Sequence, residues 1–160
     1  MKVKDMAVIA MMGAILVTLQ VAFAFLPNVE LVSLLVILST LIFKRKTIFI
    51  LAIFICLEGF IYGLGLWWIN YLYIWYVLYF ICTLFKNERS SWFWAMISGI
   101  YGLVYGLLCS IPNIFIGGFG AAFAYWVVGI PFDITHGIAN FIITLILFKP
   151  LYHILNRLNK

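Results

Sequence analysis

Apolar residues run almost without interruption along this chain, over roughly 6–26, 29–43, 47–66, 69–85, 91–112 and 119–148. Polar and helix-breaking residues collect in the narrow gaps between these runs. The gaps are Pro27-Asn28, Lys44-Arg45-Lys46, the stretch from Trp67 to Asn70, Lys86-Asn87-Glu88-Arg89, and Pro112 to Gly118. A helix that crosses a bilayer needs about 17 to 25 apolar residues. Six such helices use most of the 160 residues and leave short connections only. The second run is short for a span. Fusing it to the first, however, makes one helix about twice as long as a bilayer requires, with Pro27 in its middle. The pattern therefore predicts an all-α integral membrane bundle of six transmembrane helices, forming one domain over 1–160.

The placement of charge orients this bundle. Cytoplasmic connections carry the excess of Lys and Arg. Lys2 and Lys4 precede the first run, and Lys44, Arg45 and Lys46 join the second and third. Lys86 and Arg89 join the fourth and fifth, and Lys149, Arg157 and Lys160 follow the sixth. With six spans all 10 basic residues fall on one side. Both termini are thus expected in the cytoplasm, with Pro150 to Lys160 as a short cytoplasmic helix end. The N-terminus also has features of a signal peptide, namely Lys2 and Lys4, an apolar stretch and Ala22-Phe23-Ala24. Against cleavage, the first run is long enough to span and further runs follow at once.

Composition supports the same class. The chain is 67% apolar and only 9% charged, with a mean hydropathy of +1.19, so it lacks the polar residues to cover a soluble core. The expected location is the cell membrane, multi-pass, with the lipid bilayer as solvent. The net charge of +5 then reflects orientation, and nucleic acid is not an expected partner. Cys56, Cys82 and Cys109 lie inside apolar runs and read as packing residues. There is no Gly-rich, Lys-containing nucleotide loop, no metal-ligand spacing and no nucleophile-elbow context around Ser33, Ser39, Ser98 or Ser110. Neither enzymatic activity nor a cofactor is expected, and any ATP-driven step falls to another subunit.

Candidate chemistry lies with the acidic residues. Asp5 and Glu88 sit among basic residues, whereas Glu30, Glu58 and Asp133 lie in or beside apolar runs. An ionisable group at the bilayer centre costs roughly 2.5–3.5 kcal/mol on insertion scales, so such groups face a cavity or a partner. Asp133, His136, Asn140 and Thr144 follow at steps of three and four and share one helix face. Gly129 and Pro131, just before them, are expected to weaken or kink the helix. This stripe is either a polar wall of a ligand cavity or an Asp133–His136 pair that satisfies itself inside the bundle. Around the third gap the chain reads Gly63-Leu64-Gly65-Leu66-Trp67-Trp68-Ile69-Asn70-Tyr71-Leu72-Tyr73, then Trp75 and Tyr76. These aromatics are either an interfacial belt or a stacking wall for a flat ring. Ala10 and Ala14, beside Gly13, form a small-residue patch on the cytoplasmic half of the first run. Gly59 with Gly63 and Gly102 with Gly106 have similar spacing.

Three pieces of the sequence carry a family resemblance. These are Ala10-Met11-Met12-Gly13-Ala14, then Pro27-Asn28-Val29-Glu30-Leu31-Val32, and Gly129-Ile130-Pro131-Phe132-Asp133 running into His136-Gly137 and Asn140. With them the chain resembles the substrate-binding S components of energy-coupling factor (ECF) vitamin transporters, which are small six-helix proteins. The first piece looks like that family's Ala-x-x-x-Ala coupling motif. The resemblance implies a subunit that binds a vitamin near the outer face and docks on a transmembrane coupling subunit carrying two ATPases. It also implies release of the cargo by toppling in the membrane. The expected binding residues are Asn28, Glu30, Glu58, Trp67, Trp68, Asn70, Tyr71, Asp133, His136 and Asn140, and the expected docking residues are Ala10, Gly13 and Ala14. The outer cavity so defined has no Lys or Arg to anchor a carboxylate or phosphate. A neutral or cationic hydroxylated ring suits it better, with pyridoxine or a related heterocycle first and a corrinoid second. The competing functions are a membrane scaffold of the cell-shape, MreD-like type and a small intramembrane enzyme.

Overall fold

The computed structural model describes residues 2–158. Lys160, counted above with the basic tail, lies outside them. Among the described residues there is no strand, and the helices follow as α1 (Val3–Ala22), α2 (Val32–Phe43), α3 (Lys46–Tyr62), α4 (Leu66–Leu84), α5 (Ser91–Leu103) and α6 (Tyr105–Leu158). At Gly118 the backbone of α6 leaves the helical region, with φ 76° and ψ −177°. It therefore consists of a first arm, 105–117, and a second arm, 119–158. Val104, at φ −100° and ψ 2°, separates α5 from the first arm.

The apolar runs and the helices correspond in part: Val104 divides the expected fifth run, 91–112, between α5 and the first arm of α6, and three connections differ from expectation. The first is longer, because α1 stops at Ala22 and α2 starts only at Val32. Residues 23–31 fold into successive turns, with Leu26 N–H donating to the Phe23 carbonyl at 2.9 Å and Asn28 in the left-handed region at φ 60°. Apolar residues such as Phe23 and Leu26 disguise this loop as helix in the sequence. The third break falls at Gly63-Leu64-Gly65 and not at Trp67 to Asn70, which lie in the first turns of α4. Gly63 adopts φ 83°, a conformation that disfavours any side chain. The last break is at Gly118 alone, and Pro112 lies within a helix. Pro131 likewise keeps helical backbone, and Gly118 is the one residue of α6 with non-helical angles.

The interior is built around α2, whose residues are all buried from Val32 to Phe43. It touches each of the other five helices. Polarity is inverted relative to a water-soluble domain. Ser39, Thr47, Ser98 and Thr144 are fully enclosed, while Phe60, Phe115 and Phe119 are at least 80% exposed. Val3–Ala22, Leu66–Leu84 and the stretch Ser91–Arg157 are long and apolar enough to cross a membrane. Such a surface is compatible with hydrocarbon as solvent.

Side chains tie the helices together at one end. Lys46 Nζ donates to Asp5 Oδ1 at 2.6 Å, joining the starts of α1 and α3. The 85–90 turn is closed by Glu88 Oε1, which accepts from the N–H groups of Arg89 and Ser90 at 2.8 Å each. These bonds hold the Glu88 carboxyl below its usual value. Arg89 lies over the Tyr152 ring at 5.6 Å, bringing this turn beside the end of α6. The basic connections thus adjoin one another in pairs.

Small residues allow close packing elsewhere. Gly13 faces Ile53, where a Cβ would come within 2.7 Å of the Ile53 side chain. A Cβ at Gly102 would meet the backbone of Gly137 at 2.8 Å, which cannot swing aside. Gly102→Ala should therefore push α5 from α6 and cost about 1–3 kcal/mol. Gly120, with open space around it, should accept Ala without loss. Thermal melts of the two variants in the same detergent check this, and equal melting temperatures would refute the tight α5–α6 contact.

Candidate functional site

At the end of the bundle opposite the basic connections, the helices leave a cavity of about 590 Å³. The C-terminal ends of α1 and α3, the N-terminal part of α4, and the loop 23–31 enclose it. Tyr105 and His136 of α6 complete the wall. Six of the residues expected at a site line it: Asn28, Glu30, Glu58, Trp67, Tyr71 and His136. No Lys or Arg does.

Its walls are aromatic and mutually braced. Tyr62 meets Trp67 edge to face at 6.3 Å between centroids, Trp67 meets Tyr71 at 5.3 Å, and Tyr71 meets Trp75 at 5.6 Å. Trp75 then contacts Tyr105 at 6.1 Å, and Tyr105 meets His136 at 4.9 Å. Such edge-to-face contacts suit the ring quadrupoles and hold each ring at a fixed angle. Gln20 Nε2 donates to the Tyr71 hydroxyl at 3.2 Å, linking α1 to α4 at the cavity wall.

The two carboxyl groups of the cavity differ in their partners. Glu30 closes the loop 23–31 onto the bundle: its Oε2 accepts from Ser33 N–H at 2.9 Å and its Oε1 lies 3.3 Å from His136 Nε2. Glu58, in α3, is 1% exposed, and its Oε1 has no hydrogen-bond partner among the described residues. The indole Nε1 of Trp75 is also buried without a partner.

The remaining expected binding residues lie outside the cavity, and all but Asn70, whose contact stays within α4, hold helices or helix arms together. Trp68 Nε1 donates to the Ile55 carbonyl at 2.9 Å, docking α4 on α3. The Tyr73 hydroxyl donates to the Leu108 carbonyl at 2.6 Å, and its oxygen lies 3.0 Å from Asn70 Oδ1. Asn140 Nδ2 donates to Ser33 Oγ at 3.2 Å, joining α6 to α2. Asp133 Oδ1 accepts from Gly106 N–H at 2.8 Å, where the Val104 interruption has started a new helix. Gly106 has to lack a side chain there, since a Cβ would lie 2.5 Å from Asp133 Oδ2. The stripe Asp133, His136, Asn140 and Thr144 does face inward along its whole length. Its members take separate partners: His136 goes to Glu30 and Asp133 to the backbone, not to each other.

Among the cavity residues, Gln20, Tyr62 and Tyr105 were not singled out from the sequence as site candidates, whereas Trp75 was among the aromatics read as a wall. Gln20 carried a usable signal, being the one amide inside the first run. The aromatics carried none, since a chain with 15 Phe, 9 Tyr and 6 Trp gives no way to tell a cavity ring from a lipid-facing one. Of the docking patch, Ala10 and Ala14 lie on the exposed surface of α1, whereas Gly13 is buried against α3. No metal-binding group of His, Cys, Asp or Glu occurs among the described residues. No protein family, curated protein or solved structure matches the chain.

The geometry separates loop closure from helix assembly. With Cys56, Cys82 and Cys109 replaced and a single reporter cysteine at Asn28, Glu30→Ala should free the loop and raise the maleimide labelling rate by about threefold or more. Asp133→Ala should leave that rate unchanged yet lower stability by about 1–3 kcal/mol, the cost of an unpaired buried N–H. If Glu30→Ala labelled no faster than its parent, the loop would be held by something other than the Glu30 contacts.

Proposed function

We propose that the chain is a six-span membrane protein with both termini in the cytoplasm, and that it acts as the substrate-binding S component of an ECF-type transporter. In this reading it captures a small vitamin-like ring compound, such as pyridoxine or a relative, from the outer side. A transmembrane coupling subunit with two ATPases then drives uptake. The observation that carries the reading is the cavity of about 590 Å³ at the end opposite the basic connections. Its size falls in the range of roughly 300–1,000 Å³ typical of small-molecule sites, and its lining combines aromatic and aliphatic side chains with a few polar groups. A scaffold protein has no need of such a chamber.

The short helix α2 fits the same arrangement. At 1.5 Å per residue its 12 residues rise only about 18 Å, against a hydrocarbon core of about 30 Å. The loop 23–31 would supply the remaining depth. Irregular backbone is tolerated within a membrane where it lines a cavity, as this loop does. On the cytoplasmic half of α1, the exposed Ala10 and Ala14 leave the backbone accessible to another helix.

Two measurements test the assignment. Replacing Ala10 or Ala14 with Trp should abolish uptake in cells that supply the coupling module, while affinity for the molecule co-purifying with the protein stays within about threefold. A parallel collapse of binding would make these alanines part of the fold. For topology, a single cysteine at Arg45 should react with an impermeant maleimide only after the membrane is opened. Labelling of intact cells at that position would reverse the orientation.

A further inference from the structure

Glu58 combines three properties that no other acid of the chain shares. It lines the cavity, it is 1% exposed, and its Oε1 has no partner among the described residues. Leaving a carboxylate unpaired in a low-dielectric interior is costly, and the cost disappears when a cationic donor is placed against it. Glu30, the other acid of the cavity, is already engaged by Ser33 N–H and His136. No Lys or Arg lines the chamber to satisfy Glu58 from within.

Resting on the reading of this cavity as a small-molecule site, we propose that it selects an organic cation, held by its positively charged nitrogen against Glu58. The surrounding rings favour the same charge. Tyr62, Trp67, Tyr71, Trp75 and Tyr105 form the continuous wall described above, and aromatic faces attract cations, most strongly in desolvated sites. A carboxylate or phosphate is disfavoured by Glu30 and Glu58. The substrate class is therefore a ring compound bearing one fixed or protonated cationic nitrogen.

Three molecules of nearly equal size separate the possibilities: 1-methylnicotinamide, a cation with a carbonyl acceptor, nicotinamide, its neutral counterpart, and nicotinate, an anion. Each is titrated into the full chain in lipid nanodiscs at pH 7, with tryptophan fluorescence and calorimetry as readouts. The cation should bind roughly tenfold to a hundredfold more tightly than nicotinamide, with nicotinate weakest. Glu58→Gln should reduce that cation preference to within about threefold. Equal or tighter binding of nicotinamide or nicotinate by the native chain overturns cation selection and leaves the small-molecule cavity intact. Saturable binding of none of the three up to millimolar concentration removes the cavity reading itself, and the proposal with it. The comparison among the three ligands on the native protein decides the matter even if Glu58→Gln fails to insert.

Discussion

Everything in this structure is arranged around a short helix that no solvent touches. From Val32 to Phe43, α2 is enclosed by its five neighbours, and its Ser33, Ser39 and Thr40 are as buried as its leucines. In hydrocarbon there is little gain from hiding an apolar side chain, so close packing and hydrogen bonds between helices have to hold the assembly together. The contacts have that character. Asn140 reaches Ser33 on α2, the Tyr101 hydroxyl reaches the Ile74 carbonyl, Tyr73 reaches Leu108, and glycine meets glycine backbone where α5 crosses α6. Polar side chains such as Ser39, Ser98 and Thr144 are therefore found inside, and much of the outer surface is left to Ile, Phe and Leu.

The cavity follows from the same constraint. Because α2 begins only at Val32, the chain between Ala22 and Val32 has to cross the top of the bundle without helical hydrogen bonds. Its backbone is satisfied by tight turns and by Glu30, whose carboxylate accepts from Ser33 N–H at the start of α2. A loop held in this way cannot fill the space that a helix would fill. The vacancy beneath it is the chamber, and the aromatic rings at the start of α4 form its opposite wall.

Much of this was legible in the sequence, for definite reasons. Hydrophobic runs separated by Lys and Arg mark helices because both lipid and charge asymmetry act on composition alone. The inward stripe from Asp133 to Thr144 was visible because helical periodicity is local. Breaks without charge were not. Pro112 and Pro131 read as interruptions, yet both the lost hydrogen bond and the clash of the ring with the preceding turn are accommodated here within helical backbone angles. Gly63 and Gly118 made the real breaks through positive φ, a property that any glycine has and few use. Which member of a polar stripe reaches a cavity is likewise set by neighbouring helices. His136 faces Glu30, while Asp133, three residues away, meets the start of the α6 arm at Gly106.

Three acids inside one small bundle show how position decides chemistry. Each occupies a place where a charge is expensive, and each meets that cost differently. Asp133 meets a backbone N–H set free by the Val104 interruption, so its carboxylate acts as a graft onto a new helix start, where the helix dipole also favours negative charge. Its other oxygen remains buried and unpartnered, but it lies outside the cavity and no ligand there can reach it. Glu30 has both a backbone donor and an imidazole, and it serves as the clasp of the loop. Only Glu58 combines contact with the cavity and an oxygen that nothing in the described chain satisfies. An acid that held helices together would be turned toward a donor within the bundle, as the other two are. Glu58 lines the space instead, and the cation proposed above is the partner that would complete its hydrogen bonding.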